Sequence, residues 1–313
     1  MSESIVITRQ LPGLQDMIEI LPENWKVWIS PHERNLRKEE LIEKAHDATG
    51  ILVFGERITE EVLEQLPKLK AITTYSVGLD HIDLEAAARR NITVANLPDE
   101  VTYTTAELGM TLILACTRRL LEADRIVRKS NPYFSNSSLI CGNNLQGKTL
   151  GVVGFGRIGQ RVAKMAKAFE MNIIYYNRSK KPDAEKELNA EYRELDQLLN
   201  EADVVILCVP GGEETKHLIG SREISLLKPT AIIVNIARGT VVDEQALTEA
   251  LKEGRIKAAG LDVYEREPRT TPGLVELDNV ILTPHIGTTT LEAQLQMTAR
   301  ALEKLRDSLL NRK

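Results

Sequence analysis

Cysteine is scarce in this sequence. The 313 residues hold three, Cys116, Cys141 and Cys208, far apart, odd in number and without a CxxC pair. That pattern argues against a disulfide framework or a structural zinc site and points to a reducing, cytoplasmic compartment. An excess of positive charge is missing too: 40 Lys+Arg stand against 45 Asp+Glu, a net charge of −5 with no basic block. This disfavours a dedicated nucleic-acid binder. No apolar run approaches the ~18–20 residues needed to span a bilayer. The longest, such as VVILCV at 204–209, are strand-sized. The N-terminal MSESIVITRQ lacks the basic and long apolar regions of a signal peptide. Tandem repeats and low-complexity segments are also absent. What is left is a cytosolic, metal-free α/β protein. At about 100–200 residues per domain, its length suggests two cores.

Short apolar runs alternate with amphipathic stretches. Strands are predicted at SIVIT (4–8), KVWIS (26–30), GILVF (50–54), LKAITTY (69–75) and ITVANL (92–97). Helices are predicted between them at 38–48, 59–66 and 83–90. Thr59, followed by acids, is a helix start, and Asn91 after a double Arg is a stop. A single long helix is predicted from Thr104 to Lys129, followed by a polar connection over 130–147. The rhythm then restarts with strands at 148–154, 172–176, 203–210, 231–237, 258–264 and 279–284, and closes on an amphipathic helix at 291–310. Apolar strands alternating with helices imply parallel sheets covered on both faces.

GVVGFGRIGQRVAKMAKAF at 151–169 places Gly154, Gly156 and Gly159 in a GxGxxG directly between a strand and a helix. Gly154 permits the tight turn, Gly156 lets a pyrophosphate approach the backbone, and Gly159 lets the helix pack close to the strand. The helix N-terminus offers free N–H groups to the phosphates. An NAD site wants an acid at the end of the next strand, to hold the ribose 2′-OH. Here NIIYY runs into Asn177, Arg178, Ser179, Lys180 and Lys181. Arg178 suits a 2′-phosphate and Ser179 can donate to it, so NADP(H) is favoured and NAD remains possible.

Three polar residues stand in suggestive places. Arg238 follows the strand AIIVNIA, where open α/β sheets bind ligands, and its fork suits a carboxylate. Glu267 lies in LDVYEREP, and His285 ends the run NVILTPH. Histidine suits proton exchange near neutral pH, and a carboxylate partner would raise its pKa. Spacing alone leaves open whether the three meet. His32, His46, His81 and His217 read as surface or structural residues.

The segments YSVGLDHIDLEAA (75–87), TTAELGMTLIL (104–114), GKTLGVVGFGRIGQRVA (147–163), VNIARGTVVDEQAL (234–247), AAGLDVYEREP (258–268) and NVILTPHIGTTT (279–290) match a family in order. The chain resembles the D-isomer-specific 2-hydroxyacid dehydrogenases, and among them most the NADPH-dependent glyoxylate/hydroxypyruvate reductases. The resemblance implies two doubly wound parallel-sheet domains joined by crossover helices, with the active site in the cleft between them. A flavodoxin-like substrate domain would take 1–99 plus 289–313, and a Rossmann cofactor domain 100–288. It implies that Arg238 binds substrate, that Glu267 pairs with the catalytic His285, and that the backbone N–H groups of Val77 and Gly78 hold the substrate carboxylate. Arg157 and Ile158 would contact the pyrophosphate. Thr105, Pro210, Ala237 and Asp262 would line the nicotinamide half, with Val209, Thr215, Ile236, Arg238, His285 and Gly287 among the remaining cofactor contacts. A homodimer through the cofactor domain is implied, with the 102–147 segment embracing the partner.

One stretch departs from the family. NPYFSNSSLICG at 131–142 has no Trp where many relatives carry one; both Trp residues lie early, at Trp25 and Trp28. Two alternatives stay open. One is an NAD-dependent relative acting on another substrate, of the D-lactate or 3-phosphoglycerate type. The other is a nucleotide-sensing scaffold like the family's corepressors, which can keep the same three residues. Formate dehydrogenases fit less well, because their histidine partner is Gln rather than Glu.

Overall fold

The computed structural model describes residues 2–129 and 140–311. Most of the Trp-less NPYFSNSSLICG stretch lies outside the described residues. The chain divides into two compact units, Met1–Val101 with Thr288–Lys313, and Thr102–Gly287.

In the first unit the strands are β1 (Ser4–Ile7), β2 (Lys26–Ile29), β3 (Gly50–Val53), β4 (Ala71–Thr74) and β5 (Thr93–Ala95). They pair in the order β2-β1-β3-β4-β5, parallel throughout. That order is flavodoxin-like. Every residue of β3 and β4 is buried, as expected for strands with helices on both faces. Alternate side chains serve opposite cores. Ile51 and Val53 pack with Leu41, Val62 and Leu63, whereas Leu52 joins Ala301, Leu302 and Leu305 of the final helix Leu291–Leu310. Tyr75 fastens that helix by donating to the Gln294 carbonyl at 2.7 Å. Thr59 stands at the N-cap of Glu60–Glu64, although its side chain makes no capping bond. Asn91, at φ 54°, takes the left-handed conformation that ends Leu84–Arg89.

The second unit holds β6 (Thr149–Val153), β7 (Asn172–Tyr176), β8 (Ala190–Tyr192), β9 (Val204–Leu207), β10 (Ile232–Asn235), β11 (Ala258–Leu261) and β12 (Val280–Leu282). Their order is β12-β11-β10-β9-β6-β7-β8. The chain winds one way from β6 through β7 to β8, then returns to β9 on the other side of β6. Doubly wound sheets bind ligands outside the strand carboxyl ends at such a reversal. Gly154, Arg238, Asp262 and His285 all follow the carboxyl ends of their strands.

The structure corrects the sequence reading at two places. The single helix expected over 104–129 is two, Thr102–Thr117 and Leu120–Lys129. Arg119 adopts φ 52°, and the Asn143 N–H takes the Thr117 carbonyl at 3.0 Å, so the helical ladder is interrupted there. The short strand β8 was not expected. Its sequence AEY has no apolar run, and it pairs along one edge only, with β7. Among the described residues, no helix is long and apolar enough to cross a membrane.

Candidate active site

Arg238 leaves β10 on a turn shaped by Asn235. The Asn235 side chain is 1% exposed. Its Oδ1 accepts the Ala237 N–H at 3.0 Å, and its Nδ2 donates to the Arg238 carbonyl at 3.0 Å. One buried amide thereby fixes both ends of the turn, leaving the guanidinium half-buried beyond it.

His285 follows β12 with φ 55°, a left-handed backbone that histidine adopts more readily than most residues but that costs about 1–3 kcal/mol. The buried carboxylate of Asp262 offsets that cost. Its Oδ1 accepts from Thr283 Oγ1 at 2.6 Å and from the Ile286 N–H at 2.8 Å, and its Oδ2 accepts the Gly287 N–H at 2.8 Å. Burial pushes the Asp262 carboxyl above its ordinary pKa, against the pull of these bonds. Asp262, expected to line the nicotinamide half, has both oxygens engaged in anchoring the histidine loop.

His285 Nδ1 donates to Glu267 Oε2 at 2.9 Å, and Glu267 Oε1 accepts the Tyr264 N–H at 3.0 Å. The hydrogen bond to Glu267 raises the His285 pKa above its ordinary value. Burial and the Arg238 charge work against that rise, while the charges of Glu267 and Asp262 add to it. For Glu267, burial opposes ionisation, but His285, the Tyr264 N–H and Arg238 outweigh it, so its pKa falls below the carboxylate norm. The imidazolium is the form that donates a proton, so an acid step at His285 is available below its pKa and lost as pH rises through it. Glu267→Gln keeps a hydrogen-bond acceptor and removes the charge. The alkaline limb of reductive kcat/KM is expected to move to lower pH in that variant. A pH series on both proteins reads it directly, and a limb that stays in place would uncouple the two residues.

The glycine loop follows β6. Gly154 has φ 97°, and a Cβ there would lie 2.7 Å from the Cys208–Val209 backbone. Gly156 is the N-cap of the helix Arg157–Lys167, with no side-chain cap and, beyond its own chain neighbours, nothing within 4 Å of where its Cβ would stand. Open space above an uncapped helix N-terminus fits a dinucleotide pyrophosphate. Gly159 is buried in that helix's first turn and Ile158 is half-buried, while Arg157 is exposed. At the end of β7, Asn177 accepts the Phe155 N–H at 3.2 Å and donates to the Ser179 carbonyl at 2.9 Å. Arg178 donates to Glu214 at 2.7 Å, both side chains being 79% exposed. Thr215 Oγ1 turns back on the Pro210 carbonyl at 2.7 Å. Val209 is half-buried and Thr105 is buried beside Gly287. Ile236 and Ala237 bury their side chains in two different cores, so only their backbone is on offer to a ligand.

The structure brings Arg238, Glu267 and His285 together. Val77 and Gly78 belong to the first unit, in the turn after β4. There Asn96 Nδ2 donates to the Val77 carbonyl at 2.7 Å and Ser76 Oγ to the Gly78 carbonyl at 2.8 Å. Asn235 was missed by the sequence reading. It stands in the same VNIARG run as Arg238, but nothing in its spacing marks a buried clamp.

Comparison with known proteins finds relatives along nearly the whole chain. The family model for the NAD binding domain of D-isomer specific 2-hydroxyacid dehydrogenases matches residues 110–287. A glyoxylate reductase of Thermococcus gammatolerans is 47% identical over 310 residues, covering 96% of this chain and 92% of the relative. Among solved structures, a D-lactate dehydrogenase of Aquifex aeolicus complexed with NAD and lactic acid superposes with a TM-score of 0.86 at 34% identity, covering 98% of this chain and 95% of its own. An NADPH-dependent glyoxylate/hydroxypyruvate reductase of Sinorhizobium meliloti, in complex with NADP and malonate, superposes with a TM-score of 0.87 at 28% identity, covering 99% of this chain and 95% of its own.

Proposed function

Because the chain belongs to the D-isomer specific 2-hydroxyacid dehydrogenases, we propose that it reduces a small 2-oxo acid, glyoxylate or hydroxypyruvate, to the 2-hydroxy acid with NADPH. The product is the D isomer where the carbon becomes chiral. The observation that carries this reading is the 2.9 Å contact of His285 Nδ1 with Glu267, inside the electrostatic reach of Arg238.

The residues divide the work by their chemistry. With Nδ1 committed to Glu267, His285 Nε2 is the atom that donates a proton to the keto oxygen. Glu267 stabilises the imidazolium and fixes the ring's orientation. Arg238 grips the substrate carboxylate and polarises the keto group, a bidentate task that suits its planar fork. The backbone N–H groups of Val77 and Gly78 are assigned to the same carboxylate on the family resemblance. Gly154, Gly156, Arg157, Ile158 and Gly159 would hold the pyrophosphate. When bound, the reduced nicotinamide supplies the hydrogen and electron pair that the substrate carbon receives. In the oxidative direction, neutral His285 takes the hydroxyl proton. Absorbance at the nicotinamide band, followed with glyoxylate, hydroxypyruvate and pyruvate, tests the reading, and no turnover with any of the three overturns it.

The NADPH preference is placed on Arg178 and Ser179. A charge-assisted contact to the 2′-phosphate is worth roughly ten- to a hundredfold when well shielded. Arg178 is exposed and already paired with Glu214. We therefore expect the low end, roughly tenfold, because solvent and a competing carboxylate both weaken the contact. Arg178→Ala should weaken NADPH binding and spare NADH, and Asn177→Asp should favour NADH. Side-by-side kinetics with the two reduced cofactors decide it; equal or NADH-favouring efficiency in the unmodified protein would sink the assignment.

The same reading includes a homodimer through the second unit. The helix Leu120–Lys129 buries none of its residues and leaves Leu120, Leu121 and Val127 exposed, which suits a partner. Three unpaired cysteines suit a reducing, cytoplasmic setting.

A further inference from the structure

Glu267 sits in a surface loop, 264–271, that is anchored at its first residue, where Tyr264 packs against the apolar core and its hydroxyl donates to the Thr283 carbonyl at 2.8 Å. Arg266, Glu267, Pro268 and Arg269 are all exposed, and the loop's tip is closed by the Arg269 N–H on the Arg266 carbonyl at 2.9 Å. Beyond Tyr264 the loop has no apolar anchor and depends on polar ties for a single conformation. Two residues given no role so far supply them.

The first is Glu244, which opens the helix Glu244–Lys252 and is 3% exposed. Its Oε2 accepts the Glu265 N–H at 2.8 Å, and its Oε1 accepts the Thr271 N–H at 2.5 Å. The two oxygens thus grip the loop on either side of Glu267. A buried carboxylate is costly unless it is fully hydrogen-bonded, and here each oxygen ends on a backbone donor.

The second is His217. Its Nε2 meets Glu265 Oε1 at 3.0 Å, and its N–H donates to the Thr240 carbonyl at 2.8 Å, in the turn that follows Arg238. His217 holds φ 48° to do so. The two loops it joins are already in backbone contact. A Cβ at Gly239 would lie 1.8 Å from the Tyr264 carbonyl carbon, so only glycine fits there.

We propose that Glu244 and His217 are positioning residues, which hold the 264–271 loop from its buried and its exposed side so that Glu267 meets His285. The proposal rests on the reading of His285 as the proton donor. The charges acting on His285 are those of Glu267, Arg238 and Asp262. Glu244 bonds to backbone rather than to any of these side chains, and His217 bonds to Glu265.

The test is an NMR titration of the imidazoles, of which the chain has five, in the full-length protein without substrate. Glu244→Gln and His217→Ala should each lower the pKa of His285, because a displaced Glu267 no longer stabilises the imidazolium. His217→Ala removes no carboxylate, so a downward move there comes through position; at φ 48° alanine also strains the backbone, and His217→Gln separates that strain from the lost bond. His217→Gln places an amide donor near the same point and should restore the wild-type titration. In parallel, reductive kcat should fall roughly tenfold to a hundredfold in Glu244→Gln, with NADPH affinity by fluorescence titration unchanged. If Glu244→Gln fails to fold, His217→Ala decides. A wild-type His285 titration in folded His217→Ala overturns the proposal, whatever the stability change. Because the titration needs no turnover, a shifted His285 in a protein that reduces no 2-oxo acid would uphold the positioning role and reject the proposed reaction.

Discussion

His285→Asn is expected to lower reductive kcat by roughly 10²–10⁴-fold, the usual contribution of a placed general acid. Asparagine is the instructive replacement because it tolerates the left-handed backbone that His285 holds at φ 55°. Alanine would confuse lost chemistry with backbone strain. The anchors of the loop are Asp262, Thr283 and the 286–287 N–H groups, none of which the substitution touches. The His285 side chain is 48% exposed, so its removal opens no core cavity. Tm should therefore hardly move while turnover collapses. Single-turnover kinetics with saturating NADPH separate the chemical step from binding. If the Asn variant kept most of its rate, another group would have to be the acid.

Arg238→Lys is expected to cost roughly 10²-fold or more in kcat/KM for any 2-oxo acid. Lysine keeps the charge and loses the planar fork that, on the proposed function, would meet a carboxylate and a keto oxygen together. The turn itself should survive, because Asn235 fastens it through backbone groups rather than the Arg238 side chain. NADPH affinity should consequently stay close to wild type. Retention of most activity would make Arg238 structural and put the carboxylate grip elsewhere. The pH limb set by His285 supplies a second reading. Arg238 works against His285 protonation, and lysine still carries that charge, so the limb should shift little.

Much of this site was legible before any coordinates. The GxGxxG between a strand and a helix marks a tight turn into a helix by itself, because each requirement is local. Asn91 after the double Arg marks a helix end for the same reason. Arg238 and His285 announce themselves as polar residues immediately after apolar strands. The missing acid after NIIYY is likewise a one-dimensional fact. The split at Arg119 was not legible, because both flanking segments have helical sequences and the interruption is made by Asn143, more than twenty residues further on. Strand β8 was hidden because an edge strand with one partner needs no apolar run.

Sequence alone thus determined most of the elements, the parallel character of the sheets and the residue types at the strand ends, all of which follow from periodicity and backbone preference. The meeting of those residues belongs to tertiary structure. β10, β11 and β12 pair in parallel, Asn235 beside Leu261 and Leu261 beside Leu282, so the segments that leave them emerge side by side. That registry carries Glu267 to His285 across 18 residues of chain. It also brings the Asp262 carboxylate under the histidine loop. Glu244 reaches the loop of Glu267 because its helix starts beside that loop, and Arg178 meets Glu214 because β7 and β9 flank β6. Pairwise side-chain distances of this kind are set by sheet order and by the packing of helices on the sheet. Local preference carries no record of them, since the same polar residue after the same apolar strand has a different neighbour in each sheet order.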